Sequence, residues 1–287
     1  MDEIIPFPVP HELSKAEREQ IVAHLNDLET SGTNVWKTRF FEYVLPGRPK
    51  LFIKLDPDVI AEASTQHFFY LCAQGDESAP RIPKVFDAFY SPPGYHMIVM
   101  EKIDAPNLSD CGLSEEATLK HAAFAVGWLL DQLPSITGDC FGKITSKSGA
   151  VAKHPFFKDY EAPKPFSGPE DLAGYMSKAS KYCASKKHRY SPDEILDLFG
   201  ERCRIYHSDI KKENFLVDSN GTVYIIDFEH VGVLPEVFQT YAFFNIGLPF
   251  AAEVGRELGH TPSASAHNIL PISNLLQQSG GSAHFKY

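Results

Sequence analysis

The sequence predicts an α+β chain of two lobes. Three observations predict it. Short segments rich in aromatic and β-branched residues, separated by proline–glycine turns, crowd residues 35–100. Helical periodicity takes over from about Asp104. A composition of 43% hydrophobic and 22% charged residues over 287 residues is that of a folded protein with one large or two small domains. The boundary is expected near residue 103, dividing a strand-rich 1–103 from a helix-rich 104–287.

Each element has a local reason. Ser14-Lys15-Ala16-Glu17 has the form of a capping box and starts a helix running to about Leu28. Ser31-Gly32-Thr33-Asn34 breaks that helix. Val35 to Leu45 and Lys50 to Leu55 read as an antiparallel strand pair joined by Pro46-Gly47-Arg48-Pro49. A helix follows from about Pro57 to Cys72. Val85 to Tyr90 and His96 to Met100 read as two more strands about Ser91-Pro92-Pro93-Gly94. Leu119, Ala122, Ala123, Val126, Leu129, Leu130 and Leu133 mark a helix over Ser114–Leu133 that Pro134 ends. The three prolines and one glycine of Ala162–Pro169 predict a loop. Ser191-Pro192-Asp193-Glu194 combines an N1 proline with a capping box and starts a short helix that Gly200 ends. Phe215–Val217 and Thr222–Ile226 form a hairpin around Ser219-Asn220-Gly221, and the rest reads as helical or irregular.

Charge and composition narrow the function classes. A net charge of −10, with no offsetting Lys/Arg block, disfavours nucleic acid and anionic membrane surfaces as partners. No run of 18 apolar residues suggests a spanning helix. Met1–Pro6 lacks the basic and apolar regions of a signal peptide. Five widely spaced cysteines without a C-x-x-C fit a reducing cytoplasm, and twelve scattered histidines include no H-E-x-x-H.

The chemistry concentrates in Arg204-Ile205-Tyr206-His207-Ser208-Asp209-Ile210-Lys211-Lys212-Glu213-Asn214-Phe215 and Val223-Tyr224-Ile225-Ile226-Asp227-Phe228-Glu229. His-x-Asp is followed by Asn five residues after the Asp, then a hairpin, then an Asp at the end of an apolar strand. Phosphoryl transfer gives these residue types a common purpose. Asp209 can orient a hydroxyl or amine and take its proton. Asn214 and Asp227, brought together at the open end of the hairpin, offer hard oxygen ligands for Mg²⁺ on the phosphates of ATP.

These motifs resemble the protein-kinase-like superfamily, and within it the aminoglycoside-phosphotransferase-like small-molecule kinases. The resemblance covers about residues 32–245 and is strongest over 203–229. It implies a bilobal fold, with a small antiparallel-sheet N-lobe and a larger helical C-lobe. It also implies an ATP- and Mg²⁺-dependent phosphotransferase acting on a small-molecule acceptor. Lys54, in Leu51-Phe52-Ile53-Lys54-Leu55, resembles the lysine that holds the α- and β-phosphates, with Glu62 on the next helix as ion-pair partner. A solvated helix face is the competing reading of Glu62. His96–Ile103 resembles the last N-lobe strand entering the hinge, where the Glu101 carbonyl and the Ile103 N–H meet adenine. Lys211 resembles the lysine that meets the transferring phosphate, and an exposed loop lysine is its alternative.

The departures are informative. No G-x-G-x-x-G precedes Lys54, and Gly32 is the one glycine placed to serve a phosphate-covering loop or, equally, a helix C-cap. Ser208 replaces the arginine of regulated protein kinases, Asp227-Phe228-Glu229 replaces Asp-Phe-Gly, and 60 residues follow Asp227 with no Ala-Pro-Glu. These favour a small-molecule kinase over a protein kinase. The Gly-x-Pro-x-x-Asp-Leu-Ala stretch is absent, and Gly232-Val233-Leu234-Pro235 stands there instead. Glu229, Glu236, Asp159 and Glu161 point toward a cationic acceptor, with solvated surface carboxylates as the competing reading. The aromatic segment Val151–Phe166 falls where such kinases bind substrate, or is core. A catalytically idle kinase-like binding or scaffold module is the alternative from another class.

Overall fold

The computed structural model describes residues 9–92, 94–132, 141–144, 150–200 and 202–278. The Met1–Pro6 reading, Pro93 of the strand turn, the helix stop at Leu133-Pro134 and Cys140 lie outside the described residues.

The capping box forms as the sequence predicts. Ser14 Oγ accepts from Glu17 N–H at 3.3 Å, Glu17 Oε2 accepts from Ser14 N–H at 2.7 Å, and α1 runs Lys15–Thr30. Gly32, at φ 85°, closes it: Gly32 N–H donates to Glu29 O at 3.1 Å and Thr33 N–H to Leu28 O at 3.0 Å, the paired bonds of a glycine C-terminal cap.

The strand expected from Val35 is a correction. Asn34 Oδ1 accepts from Lys37 N–H at 3.0 Å and nucleates a single turn, α2 (Val35–Thr38), which Arg39 ends in the left-handed region at φ 61°. Only then do β1 (Phe40–Val44) and β2 (Lys50–Leu55) pair, with Phe40 opposite Lys54. After α3 (Val59–Gln74), β3 (Val85–Ser91) and β4 (Tyr95–Glu101) complete an antiparallel sheet of order β1-β2-β4-β3 among the described residues.

The sheet is covered on both faces. Ile21 and Leu25 of α1 pack on Leu51, Ile53, Leu55, Met97 and Val99. Val59 and Ala63 of α3 pack on Ile98 and Met100. Period-2 alternation therefore sends Phe52 and Lys54 to the α3 face.

Beyond residue 103 come α4 (Glu115–Asp131), α5 (Pro169–Ser180) and α6 (Pro192–Phe199), then β5 (Cys203–His207). The hairpin β6 (Phe215–Val217) and β7 (Val223–Ile225), β8 (Val231–Pro235), α7 (Glu236–Phe244), α8 (Pro249–Glu257) and α9 (Ala264–Gln278) follow. The β5–β8 pair was not legible in the sequence. The sheet lobe and the helical lobe are joined by a shared apolar cluster, in which Phe69 of α3 stacks on Phe228 at 5.6 Å between ring centroids.

Of the aromatic segment Val151–Phe166, Phe156 and Phe157 are fully buried core, whereas Tyr160 is exposed. His154 is buried among Tyr206, Phe238 and Tyr241. Its Nε2 is 3.0 Å from Phe238 O, and its Nδ1 accepts from Phe156 N–H at 3.0 Å. Burial pushes this imidazole down from 6.5 to about 3. The folded pKa lies below the unfolded one, so the stabilisation is complete above pH 6.5 and is lost as pH falls toward 3. Melting temperature against pH is therefore expected to fall over that window in the wild type, and His154→Gln is expected to flatten the fall. An unchanged acid limb in His154→Gln would show that other groups set it.

Candidate active site

Between the two lobes lies a cavity of about 660 Å³. Among the residues lining it are Lys54, Glu62, Glu101, Ile103, Asn214 and Asp227. Residues from the sheet, from α3, from the connection after β4 and from the β6–β7 hairpin thus meet at one cleft.

Lys54 is the hub. Its Nζ lies 2.8 Å from Glu62 Oε1, 2.9 Å from Asp227 Oδ1 and 3.7 Å from Glu229 Oε2. Glu62 is 2% exposed, so the solvated-face reading of this residue is wrong. It is placed there because α3 starts four residues after β2 ends and turns its first buried face back toward the strand. Burial drives the Glu62 carboxyl up to about 7 against the pull of Lys54. At Asp227 burial works in the same direction, but Lys54 outweighs it and holds the carboxyl at about 2. Burial disfavours the Lys54 ammonium, yet Glu62, Asp227 and Glu229 raise it well above its ordinary value. Both carboxylates thus sit against a lasting cation, which holds Asp227 well below the usual carboxylate range while burial raises Glu62.

The hairpin does what its register predicts. Phe215 pairs with Ile225, and one rung on, Ile226 N–H donates to Asn214 O at 3.0 Å, so Asn214 and Asp227 stand side by side. Gly221, at φ 82°, makes the turn, helped by Asp218 Oδ1, which accepts from Asn220 N–H and Thr222 N–H at 2.9 Å each. Asp227 itself has φ 65°, a left-handed conformation that aspartate tolerates better than most residues. Asn214 Nδ2 donates to Asp209 O and Asp209 Oδ2, both at 2.9 Å, which ties down the amide nitrogen.

Asp209 and Lys211 are not among the residues lining the cavity. They join it through Asn214, and Lys211 Nζ lies 2.7 Å from Asp209 Oδ2. His207 is fully buried, and burial lowers its imidazole to about 4. Its Nδ1 accepts from Asp209 N–H at 3.3 Å, so a neutral ring supports the loop that carries Asp209.

Comparisons with known proteins come from structure alone, since neither a family profile nor a curated relative matches the sequence. The chain is similar to a thermostable mutant of aminoglycoside phosphotransferase APH(4)-Ia. Against its ternary complex with AMP-PNP and hygromycin B, the TM-score is 0.53 at 13% identity over 82% of this chain and 84% of that one. Against the apo form it is 0.52 at 14% identity, over 82% and 80%. A complex of a further variant with ADP and hygromycin B matches at TM-score 0.50 and 13% identity over 88% of both chains. The chain has an aminoglycoside-phosphotransferase-like, protein-kinase-like fold.

Within this kinase-like fold the glycine expectation fails. Gly32 does not line the cleft, because its positive φ is used to end α1. The residues that occupy the roof instead are Thr38, Arg39 and Phe40. Phe40 stacks on Phe52 at 4.9 Å, and both rings line the cavity. Phe52 could have been read from the sequence, since it stands two residues before Lys54 on one strand and must share its face. Lys153 had no such signal. It lies 2.6 Å from Glu229 Oε1 across 76 residues of sequence. The buried Lys143 ammonium also donates to Glu229 O, and burial, then Lys153, lower it to about 8.

Of the acidic residues suggested for an acceptor, Glu229 and Glu161 line a side cavity of about 380 Å³ that adjoins the main one. Asp159 and Glu236 line neither cavity, and Asp159 pairs with Lys158 at 3.0 Å. Among the described residues Cys72, Cys111, Cys183 and Cys203 carry free thiols, and no helix is long and apolar enough to cross a membrane.

Proposed function

We propose that this chain is an ATP- and Mg²⁺-dependent phosphotransferase acting on a hydroxyl or amine of a small molecule, with residues 1–103 and 104–287 working as one kinase-like unit. The observation that carries the reading is the convergence of Lys54–Glu62, Asp227 and Asn214 on a 660 Å³ cleft, with Asp209 hydrogen-bonded to Asn214. The complexes of the APH(4)-Ia variant with AMP-PNP and hygromycin B support a nucleotide and a small-molecule acceptor as its two substrates.

In this reading Lys54 holds the α- and β-phosphates, and Glu62 keeps its ammonium in place. The Phe40 and Phe52 rings cover the base, whose edge meets the Glu101 carbonyl and the Ile103 N–H. That N–H donates to none of the described residues. Asn214 and Asp227 are the metal ligands. With Asn214 Nδ2 given to Asp209 and Asp227 Oδ1 given to Lys54, Asn214 Oδ1 and Asp227 Oδ2 remain, and a pair of hard oxygens suits Mg²⁺. Bound Mg²⁺ supplies neutralisation of phosphate charge. Asp209 orients the acceptor and takes its proton, and Lys211 meets the transferring phosphoryl group. The reading places the chain in the cytoplasm.

Transfer of γ-labelled phosphate from ATP tests the reading. The acceptors are a panel of amino-alcohols, aminoglycosides and neutral polyols, set beside a mixed protein substrate. Label is expected on a small molecule. Label on protein alone would make the chain an atypical protein kinase. No transfer, together with no response to ATP, would favour the idle binding module, the reading suggested by the missing glycine loop.

A further inference from the structure

The segment that stands where a phosphate-covering loop is needed is built around Arg39. Its backbone is fixed from both sides: Arg39 N–H donates to Val35 O at 2.7 Å, and Leu55 N–H donates to Arg39 O at 2.8 Å. The second bond anchors it to the residue after Lys54. The next residue, Phe40, pairs with Lys54 itself. Arg39 is thus held at the phosphate end of the cleft, on the strand beside Lys54.

The residue is at a junction of two cavities. Arg39, Asp56 and Glu229 line both the 660 Å³ cavity and the 380 Å³ side cavity. The other two already have partners, since Asp56 Oδ1 accepts from Asp58 N–H at 2.7 Å and Glu229 holds Lys153 at 2.6 Å. The remaining lysines that line either cavity are paired as well, Lys54 with Glu62 at 2.8 Å and Lys102 with Glu42 at 3.3 Å. The Arg39 guanidinium alone among these cations makes no hydrogen bond or ion pair to a described residue. A guanidinium carries five N–H donors in a planar fork matched to phosphate oxygens.

We infer that Arg39 clamps the terminal phosphate of the bound nucleoside triphosphate, supplying from a side chain the donors that a glycine-rich loop supplies from its backbone. This assignment rests on the nucleotide reading above. It explains why the segment can dispense with glycines, since a helical turn capped by Asn34 and closed by a left-handed arginine delivers the charge instead. It also sets the terminal phosphate beside Arg39, with the base on the side of Phe40 and Phe52.

Calorimetric affinities of the wild type, Arg39→Gly and Arg39→Lys for AMP-PNP and for ADP, each with Mg²⁺, test it. Glycine suits φ 61°, so Arg39→Gly is expected to keep its melting temperature and any loss is not one of folding. Arg39→Gly is expected to weaken AMP-PNP about 10- to 100-fold, the scale of a lost charge-assisted bidentate contact, while leaving ADP unchanged. Arg39→Lys is expected to fall between, keeping charge but losing the fork. Wild-type affinity of Arg39→Gly for both nucleotides would overturn the assignment, as would an equal loss for both. A wild type that binds neither nucleotide would remove the nucleotide reading itself and this assignment with it.

Discussion

Asp209→Asn is expected to bind ATP and Mg²⁺ as the wild type does and to lose turnover by about 10²- to 10⁴-fold, the range for removing a positioned general base. The substitution is nearly isosteric. The new amide oxygen can still accept from Asn214 Nδ2, as Asp209 Oδ2 does at 2.9 Å, so Asn214 stays anchored. What disappears is the negative charge beside Lys211, whose Nζ is 2.7 Å away, and the capacity to take a proton. The loss should therefore appear in kcat and leave the KM for ATP nearly unchanged. Steady-state kinetics with an accepted small molecule checks this, and full activity would remove Asp209 from the base role.

The second large effect is expected at Asp227. Asp227→Ala removes the carboxylate that Lys54 keeps ionised at about 2 and, under the proposed function, a charged ligand for the metal. Lys54 keeps Glu62 at 2.8 Å and Glu229 at 3.7 Å, so the hub survives without an unpaired buried cation. Loss of the nearby Asp227 charge also relieves part of what raises Glu62. The cost to the unliganded fold is then about 1–2 kcal/mol, from placing alanine at φ 65°. The cost to function is far larger. Turnover is expected to be undetectable, and raising Mg²⁺ is not expected to rescue it. A variant that recovers wild-type rates at high Mg²⁺ would show that Asp227 is not a ligand.

The features legible in the sequence are those fixed by local spacing. Asn214 and Asp227 meet because a short hairpin with an Asn-Gly turn leaves them at its open end, and that geometry is carried by fewer than about twenty residues. Lys54 and Glu62 are eight residues apart, one at a strand end and one on the first turn of the helix that follows, so their approach also follows from local structure. The α1 and α6 boundaries were legible for the same reason, since a capping box reports its own position.

What was not legible depends on distant chain. Val35–Thr38 has the β-branched and aromatic content of a strand, but Asn34 caps it into a turn and the tie from Leu55 to Arg39 fixes where the strand begins. β5 and β8 are separated by the whole β6–β7 hairpin, and neither carries a turn signal to announce the pairing. Lys153 reaches Glu229 across the C-lobe, a contact no period or spacing encodes. Glu62 had two readings until its burial was known, because a helix face does not say whether it looks to solvent or to a neighbouring strand.

Under the proposed function the cleft binds ATP through Mg²⁺ held by Asn214 and Asp227. Thermal unfolding of the wild-type chain with ATP, with and without Mg²⁺, tests it most directly. A ligand at 100 times its Kd adds about 2.7 kcal/mol to unfolding, which for a chain of this size is a rise of roughly 5 °C or more. That rise is expected with ATP and Mg²⁺ together, and little or none with ATP alone. No shift under either condition would contradict it.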